Sequence, residues 1–534
     1  MTFARTRSQR PTAGTRIGAR PEIVLRGRGH FSLIGVLTAF MALGAAHGCG
    51  VDATDDAPTD PDGGPIGEET TGPDGDPHSG DSNAGDSGVI GVESGTLAPD
   101  YVDFDINHVL ITGQSNAVSN GGSPPITAAQ PYKNLMFDTG VMPMAQCEDG
   151  NGCKAYQTPA AFVPLVEGDK FFDYQVETSS SGFGNGISHL AKDELEFGTR
   201  PGYPLKHDVL VSDHGRSGNT YFCLRKSFCQ YNIDRGHLSP FAQGMMEVQS
   251  AKALAAAAGR TYVVRAVAAI HGESDHYAYV AAGGHPEFPM ASSDGTAAKI
   301  KDYTDALVEW QQDYETSVRA ITGQKLPIPL FISAVSGWTS TRTSVIPQMQ
   351  LDAHVRAPGK VVYVTPAYPL TVRSDCLHFD QDGYRRLGEY FAKVYARVVF
   401  SGQRWEPVRP REITRVGNVI TVKFYVPVPP LSFDVVKVLD PGNFGFDVLD
   451  AGNLVGSAAA IAGPDTVTIT LAAAPTGALR LRYAQNEPSP GCIGPGTQGF
   501  GGGARGNLRD ADNTSSLYGY DLHNWAVNFD AAVP

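Results

Sequence analysis

Apolar and polar positions alternate through the middle of the chain in a pattern that predicts a parallel sheet. Short runs of β-branched and apolar residues recur between longer stretches with helical spacing. The runs predicted as strands cover residues 109–112, 209–212, 262–270, 330–334 and 361–365. The stretches predicted as helices cover residues 187–197, 239–259, 297–322, 344–355 and 383–399. This alternation predicts an α/β domain over residues 101–402, a three-layer α/β/α arrangement with helices on both faces of the sheet.

The pattern changes after residue 402, where no long helical spacing appears. Predicted strands at residues 416–427, 435–438 and 466–471 alternate with Pro and Gly, which predicts a small all-β domain over residues 403–534. Two roles for this domain stay open, stability and contact with carbohydrate. Residues 522–525 are predicted to tie down the end of the chain.

A long segment of irregular pattern, residues 116–181, interrupts the α/β series just after its first strand. It is rich in Gly, Pro and Ser. An insertion at this point either shapes a substrate site or decorates the fold.

The first hundred residues are predicted to be a targeting segment and a tether. Residues 1–50 hold seven Arg and one Glu, and the uncharged run 31–46 is shorter than the ~20 apolar residues that a spanning helix needs. The residues before Cys49 resemble a bacterial lipobox, so residues 1–49 are expected to be a signal segment with Cys49 as a lipidated amino terminus. Cleavage without lipidation is the alternative. Residues 50–100, with thirteen acidic residues and no Lys or Arg, are expected to be a disordered acidic linker.

These features predict export. The expected location is the bacterial cell envelope, as a lipoprotein of the outer membrane or cell surface held in the membrane by its lipid, or secretion. The formal net charge of −14 argues against nucleic acid or an anionic membrane surface as the main partner.

Seven cysteines are consistent with an oxidising compartment. Cys147 and Cys153 bracket one short loop, and Cys223 and Cys229 bracket another, so two small disulfides are expected. If Cys49 is lipidated, six cysteines remain, and Cys376 and Cys492 are left to pair across domains. Six cysteines permit about fifteen connectivities, so other pairings stay open. The cysteine and histidine spacings of zinc sites are missing, so no metal is predicted.

The candidate chemistry begins at the end of the first predicted strand. There Gly113 lets the chain turn, and Ser115 follows at the edge of the sheet where α/β folds bind ligands. A serine hydroxyl needs an imidazole to take its proton, and the imidazole works better beside a carboxylate. His378, with Asp375 three residues before it, follows the fifth predicted strand and opens on the same edge. The sequence therefore predicts that Ser115, His378 and Asp375 meet.

Two further segments follow predicted strands at this edge. Residues 214–220 follow the second strand, and residues 271–275 follow the third. Backbone N–H groups of glycine-containing turns can stabilise the oxyanion that develops in acyl transfer. The first segment is no GxSxG elbow, because Asn219 stands where that motif needs its last glycine.

Together these blocks resemble the SGNH-type hydrolases, and most closely their sialate O-acetylesterase and acetylxylan esterase branch. The resemblance rests on residues 113–116 (GQSN), 218–220 (GNT), 272–275 (GESD), 375–379 (DCLHF) and 383–388 (GYRRLG), in that order. It covers roughly residues 107–400 and leaves the β-rich part outside. It implies a flavodoxin-like fold that removes acetyl esters from sugars without a cofactor or metal.

The resemblance also implies roles for individual residues. Ser115 would be the nucleophile, His378 the base and Asp375 its partner, and the N–H groups of Ser115 and Gly218 would line the oxyanion hole. Gln114 and Asn116 flank the nucleophile and are expected to support the site or to contact substrate.

One residue departs from the pattern of this branch. His271 stands where Gln is usual; a neutral imidazole can donate one hydrogen bond as the amide would, but its titration would add a pH dependence. Asn219 could supply the side-chain donor instead. Glu273 is expected to anchor the neighbouring loops or, alternatively, to contact substrate.

The sequence therefore predicts a serine esterase that acts on O-acetylated carbohydrate through an acyl-enzyme. One alternative is an enzyme of the same family with another acyl preference, such as a lipase or acyltransferase. The other is a carbohydrate-binding surface lipoprotein that has lost its catalytic activity.

Overall fold

The middle of the chain forms a seven-stranded, mainly parallel sheet in the computed structural model. Strands β1 to β9 are Ile106–Gly113, Leu135–Phe137, Met144–Ala145, Ala155–Tyr156, Phe162–Pro164, Asp208–Asp213, Tyr262–Ile270, Leu330–Ala334 and Val361–Pro366. Seven of these strands form the sheet, in the order β5-β2-β6-β1-β7-β8-β9, in which β5 pairs with β2 antiparallel and the other pairs are parallel. Strands β3 and β4 pair with each other apart from it. The five predicted strands are confirmed, and they lie in the order second, first, third, fourth, fifth, as in flavodoxin-like sheets.

The structure describes residues 97–98, 100–145, 155–168, 176–193, 207–227, 229, 238–281, 284–338, 343–485 and 504–534. All of them belong to one compact unit of the chain. The predicted signal segment with Cys49, nearly all of the acidic linker, and Cys147, Cys153 and Cys492 lie outside the described residues.

Helices cover both faces of the sheet. Helices α1 to α7 are Ser179–Asp193, Tyr221–Leu224, Pro240–Ala257, Glu273–Ala281, Tyr303–Thr322, Ile346–Arg356 and Gln381–Tyr395. Because parallel strands connect through right-handed crossovers, α1 lies on one face, where it packs against α7, while α3, α5 and α6 pack together on the other. None of the helices in the described ranges is long and apolar enough to cross a bilayer.

Two helices begin away from their predicted starts, and one helix was not predicted. Helix α1 begins at Ser179 instead of residue 187. Helix α5 begins at Tyr303 instead of residue 297, because the Asp302 side chain accepts the N–H of Asp305 and caps the first turn. Helix α4 was not predicted, because its first turn holds Glu273 and Asp275 and reads as a polar loop in the sequence.

The long insertion contributes to the sheet. Its strands β2 and β5 extend the sheet beyond β6, where Leu135 pairs with Leu210. They are three residues each, too short to leave an alternating pattern in the sequence.

The described residues after Gly402 are rich in antiparallel strands. Strands β10 to β19 are Arg409–Val416, Val419–Tyr425, Ser432–Phe433, Phe446–Asp450, Asn453–Val455, Ser457–Ile461, Thr466–Leu471, Leu479–Tyr483, Leu508–Arg509 and Phe529–Val533. They form two four-stranded sheets, β10-β11-β16-β15 and β14-β13-β17-β19, and the pair β12-β18. The predicted strand at 466–471 is confirmed.

The other two strand predictions in this region need correction. The segment 416–427 is the end of β10, a turn at Gly417 and then β11. The prediction of a strand at 435–438 is wrong, because the Asp434 carboxylate accepts the N–H groups of Val436 and Lys437 and folds the segment into a turn.

The end of the chain packs on α7, as predicted for residues 522–525. The buried Lys393 ammonium donates to the Leu522 carbonyl and to Asn524 Oδ1, and it lies 3.4 Å from the Asp512 carboxylate. This contact fixes the helix that follows the segment containing His378.

Candidate active site

Ser115 lies in a tight turn directly after β1. Gly113 has a φ of +136°, and a side-chain carbon there would come within 2.1 Å of the Ile270 carbonyl oxygen, so only glycine fits. Ser115 is 7% exposed. Its N–H has no hydrogen-bond partner among the described residues, whereas most buried backbone N–H groups are paired. The turn therefore presents a hydroxyl and an unused backbone donor at the same residue.

The segment of residues 375–378, here called the base loop, holds its own carboxylate–imidazole pair. His378 Nδ1 lies 2.9 Å from Asp375 Oδ2, and the other Asp375 oxygen accepts the N–H groups of Leu377 and His378 at 3.0 and 2.9 Å. Burial alone would raise the pKa of Asp375, but these hydrogen bonds outweigh it and lower the pKa to about 2. An ionised Asp375 fixes the proton of the imidazole on Nδ1 and leaves Nε2 as the basic nitrogen.

The structure brings the base loop next to the Ser115 turn. Asn116 Nδ2 donates to the Leu377 carbonyl at 3.2 Å, so the residue after Ser115 contacts the residue before His378. Among the described residues no hydrogen bond joins Ser115 Oγ to His378 Nε2. Catalytic hydrogen bonds are often long in unliganded enzymes. The triad of Ser115, His378 and Asp375 stays a prediction whose parts lie side by side.

The turn after β6 carries the other predicted oxyanion donors. Gly218 is exposed, has a φ of +71°, and its N–H has no hydrogen-bond partner among the described residues. Asn219 Nδ2 donates to the Ser217 carbonyl at 2.9 Å, within its own turn. The Gly218 N–H is thus available to a ligand, while the Asn219 amide serves the conformation of the turn.

His271 has contacts that differ from those of an oxyanion donor. Its Nδ1 lies 2.7 Å from the Tyr303 hydroxyl, and its Nε2 lies 3.1 Å from the Asn219 carbonyl and 3.4 Å from the Asp275 carboxylate. Since the Asn219 carbonyl can only accept, Nε2 carries a proton and donates to it. In this arrangement His271 holds the Gly218 turn in place.

Residues 271–275, here called the brace, also contact the Ser115 turn. Gln114 Oε1 accepts the N–H of Ser274 at 2.8 Å, and Glu273 Oε1 accepts Asn116 Nδ2 at 2.9 Å. Burial raises the pKa of Glu273, with smaller opposing effects from hydrogen bonds and from His271 and His378. Gln114, Asn116 and Glu273 therefore join loops to one another, and a direct contact with substrate stays untested for each of them.

Two residues to which the sequence analysis gave no role complete these connections. The Asp275 carboxylate accepts the N–H of Tyr221 at 2.9 Å and lies 3.1 Å from His285 Nε2, which fixes the chain just after the Gly218 turn. The Tyr384 hydroxyl lies 3.0 Å from Asn116 Oδ1. Tyr384 stands within the block at residues 383–388, so the sequence marked its neighbourhood but not its role.

One predicted disulfide is confirmed. Cys223 and Cys229 are bonded, with their Cα atoms 4.9 Å apart. Cys376, within the base loop, is also disulfide-bonded. Its predicted partner Cys492 and the predicted pair Cys147–Cys153 lie outside the described residues.

Within the described ranges, no group of three or more His, Cys, Asp or Glu side chains is arranged to hold a metal ion. That the protein uses neither metal nor cofactor stays a prediction.

Comparison with known proteins gives only distant likenesses. No protein-family model matches the sequence, and no curated protein matches it. A carbohydrate acetylesterase from Xanthomonas citri aligns with 13% identity over 79% of this chain and 80% of its own, at a TM-score of 0.47. A protein from Arabidopsis thaliana aligns with 13% identity over 55% and 98%, at 0.30, and the aryl esterase of M. smegmatis with 10% over 54% and 97%, at 0.27. With TM-scores below 0.5, these alignments are no argument about the function of this chain.

Proposed function

We propose that this protein is an SGNH-type serine esterase that removes O-acetyl groups from carbohydrate, of sialate or xylan type, through an acyl-enzyme. The observation that carries the proposal is the 2.9 Å pair of His378 and Asp375 in a loop that Asn116 ties to the Ser115 turn. A serine at a strand end, an imidazole with a free Nε2 and an ionised carboxylate are the parts that acyl transfer needs.

In the proposed mechanism, His378 Nε2 takes the proton of Ser115 as Ser115 Oγ attacks the acetyl carbonyl carbon. The imidazolium that forms is stabilised by the negative charge of Asp375. The same proton then passes to the departing sugar oxygen, which leaves acetyl bound to Ser115. Water activated by His378 attacks this ester and releases acetate, and Ser115 recovers its proton.

The oxyanion that develops during attack needs donors that are already in place. The N–H groups of Ser115 and Gly218, which have no partner in the part of the chain that the structure describes, are the proposed donors. His271 and Asp275 support the Gly218 donor indirectly. They bind the Asn219 carbonyl and the Tyr221 N–H, which follow Gly218 in the chain.

We further propose that the protein is exported and is anchored in the membrane through a lipid on Cys49, with residues 50–100 as the tether. Mass spectrometry of the mature amino terminus tests this. A diacylated Cys49 would support the anchor, and an unmodified terminus downstream of residue 40 would leave export without it.

Hydrolysis of a chromogenic acetate ester tests the proposed activity. Wild type should turn over, and Ser115→Ala should lose at least about 10³-fold in kcat, because the variant lacks the hydroxyl proposed to carry the acetyl. Ser401→Ala, which removes a hydroxyl beyond the far end of α7, serves as the control and should retain full activity. Equal rates in wild type and Ser115→Ala would refute the serine mechanism.

Two alternatives are separated by further substrates. A clear preference for octanoyl over acetyl esters would indicate a lipase-like enzyme. If wild type and Ser115→Ala both bind acetylated glycan and neither hydrolyses it, the result would indicate a carbohydrate-binding surface protein. Acetate release from acetylated xylan and from O-acetyl sialic acid identifies the sugar.

A further inference from the structure

We propose that Glu273 is a positioning residue that, through Asn116, sets the place of the His378 imidazole relative to Ser115. This inference rests on the proposed function. Glu273 acts through Asn116 and the Leu377 carbonyl, without touching substrate.

The Asn116 side chain is the connection between the two segments. Its Nδ2 donates to Glu273 Oε1 at 2.9 Å and to the Leu377 carbonyl at 3.2 Å, and its Oδ1 lies 3.0 Å from the Tyr384 hydroxyl. The reversed amide would set an oxygen against two acceptors, so the contacts fix its orientation. Both N–H donors of this side chain and its oxygen are used to hold neighbours in place.

Glu273 is held rigidly enough to act as an anchor. It begins α4 directly after Gly272, whose φ is +141° and where a side-chain carbon would come within 2.6 Å of Val335. The next residue, Ser274, donates its N–H to Gln114 Oε1 at 2.8 Å. The backbone that carries Glu273 is therefore fixed relative to the turn that holds Ser115.

The base loop has fewer buried contacts of its own. Asp375 and His378 side chains are 42% and 18% exposed, and the loop is the tip of a hairpin closed by the bond from the Arg373 N–H to the His378 carbonyl. The bond from Asn116 to Leu377 joins this tip sideways to the buried part of the site. The disulfide at Cys376 also holds this loop, but the Asn116 bond acts on Leu377, next to the imidazole, so its loss would relax the position of His378 while the hairpin itself stays closed.

The state of the Glu273 carboxyl is consistent with positioning. The side chain is 6% exposed, and its Oε2 has no hydrogen-bond partner among the described residues. A protonated carboxyl can still accept the Asn116 bond through Oε1. Glutamine offers the same acceptor at the same place, so Glu273→Gln should preserve the connection and Glu273→Ala should break it.

The test compares these variants on the acetate ester. Glu273→Ala and Asn116→Ala should each lower kcat by about 10- to 100-fold with KM changed less than about threefold, because the bond orients the reacting groups. Glu273→Gln should stay within about threefold of wild type. The double variant should be no slower than about the slower single variant, because both break one connection.

A buried glutamate away from the site is the matched control. Glu406, in the C-terminal part, is 4% exposed and is paired with His354 of α6 and with Arg409. Glu406→Ala should lower the melting temperature without changing kcat at temperatures where it is folded. Unlike this control, Glu273→Ala should have a lower kcat at a temperature where circular dichroism shows that it is folded.

Three outcomes would overturn the inference. Full kcat in Glu273→Ala, with Ser115→Ala inactive, would refute positioning and leave the proposed function standing. A Glu273→Gln variant as slow as Glu273→Ala would mean that the charge matters instead of the hydrogen bond. Crystal structures of wild type and Glu273→Ala that superimpose at His378 would also refute it, even if wild type hydrolyses none of the esters and the proposed function fails.

Discussion

The base loop and the brace lie at the same edge of one sheet and have opposite environments. In the base loop, Asp375 is half-exposed and hydrogen bonds lower its pKa to about 2. In the brace, Glu273 is buried, one of its oxygens lacks a partner within the described ranges, and burial raises its pKa. Two carboxyls near one imidazole are thus driven apart in acidity.

This difference assigns their roles. A carboxylate that stays charged can stabilise an imidazolium. Exposure to water weakens this interaction little, because the hydrogen bonds to His378 persist. A buried carboxyl that resists ionisation is better suited to hold a neighbouring amide. The exposed loop therefore carries the proposed chemistry, and the dry segment fixes its geometry.

Among the changes to carboxyl groups, the largest effect should come from Asp375→Asn, which removes the charge from the base loop. We expect kcat to fall by about 10²- to 10³-fold, less than the about 10⁴-fold typical of a buried triad aspartate, because water can partly replace an exposed partner. Since the pKa of Asp375 is about 2, its protonation should not shape the wild-type pH–rate profile in the neutral range. A loss of less than about fivefold in kcat on the acetate ester would show that Asp375 and Glu273 do not have these separate roles.

A third carboxyl, Glu389 on α7, tests whether burial raises a pKa even when hydrogen bonds are present. Burial raises its pKa to about 7 despite the bonds from Ser516 and Leu517. The folded state then holds this proton more tightly than the unfolded state, so stability falls as pH rises from about 4.5 to 7, by up to about 3 kcal/mol.

Thermal melting of Glu389→Gln measures this effect. The variant should gain stability relative to wild type as pH rises from 4 to 8, because glutamine carries no titrating proton. An equal difference in melting temperature at pH 4 and pH 8 would show that Glu389 titrates as an ordinary exposed glutamate.

The smallest effect is expected for the stability of Glu273→Gln. The raised pKa of Glu273 again predicts that wild type loses stability as pH rises above the ordinary range of a glutamate, whereas the variant does not. The difference in melting temperature should therefore grow from acid to alkaline pH by a few degrees. A variant that is less stable at pH 8 than at pH 5, relative to wild type, would mean that folding lowers the pKa of Glu273, as it lowers that of Asp375.

Much of the fold could be read from local pattern. Five buried strands left apolar runs of four to nine residues, and their order along the chain, with right-handed connections, restricts the sheet to few arrangements. Strands β2 and β5 and helix α4 were not predicted, because a strand of three residues or a helix with a polar first turn leaves no periodic signal in the sequence. Residues 435–438 were wrongly predicted as a strand, because the carboxylate of Asp434 folds this apolar run into a turn.

The sequence by itself determined which chemical groups stand at the ends of the strands: Ser115 after the first, and Asp375 with His378 after the fifth. Residue type and spacing suffice for that, because a strand end and a three-residue separation are local. Only the tertiary structure decided what Asn116, Glu273 and His271 do, since their partners lie far away along the chain; Asn116 is bonded to residues 157 and 261 positions away. Which of these groups is buried, and so whether a carboxyl is charged or a ring nitrogen is free, depends on packing that no local pattern records.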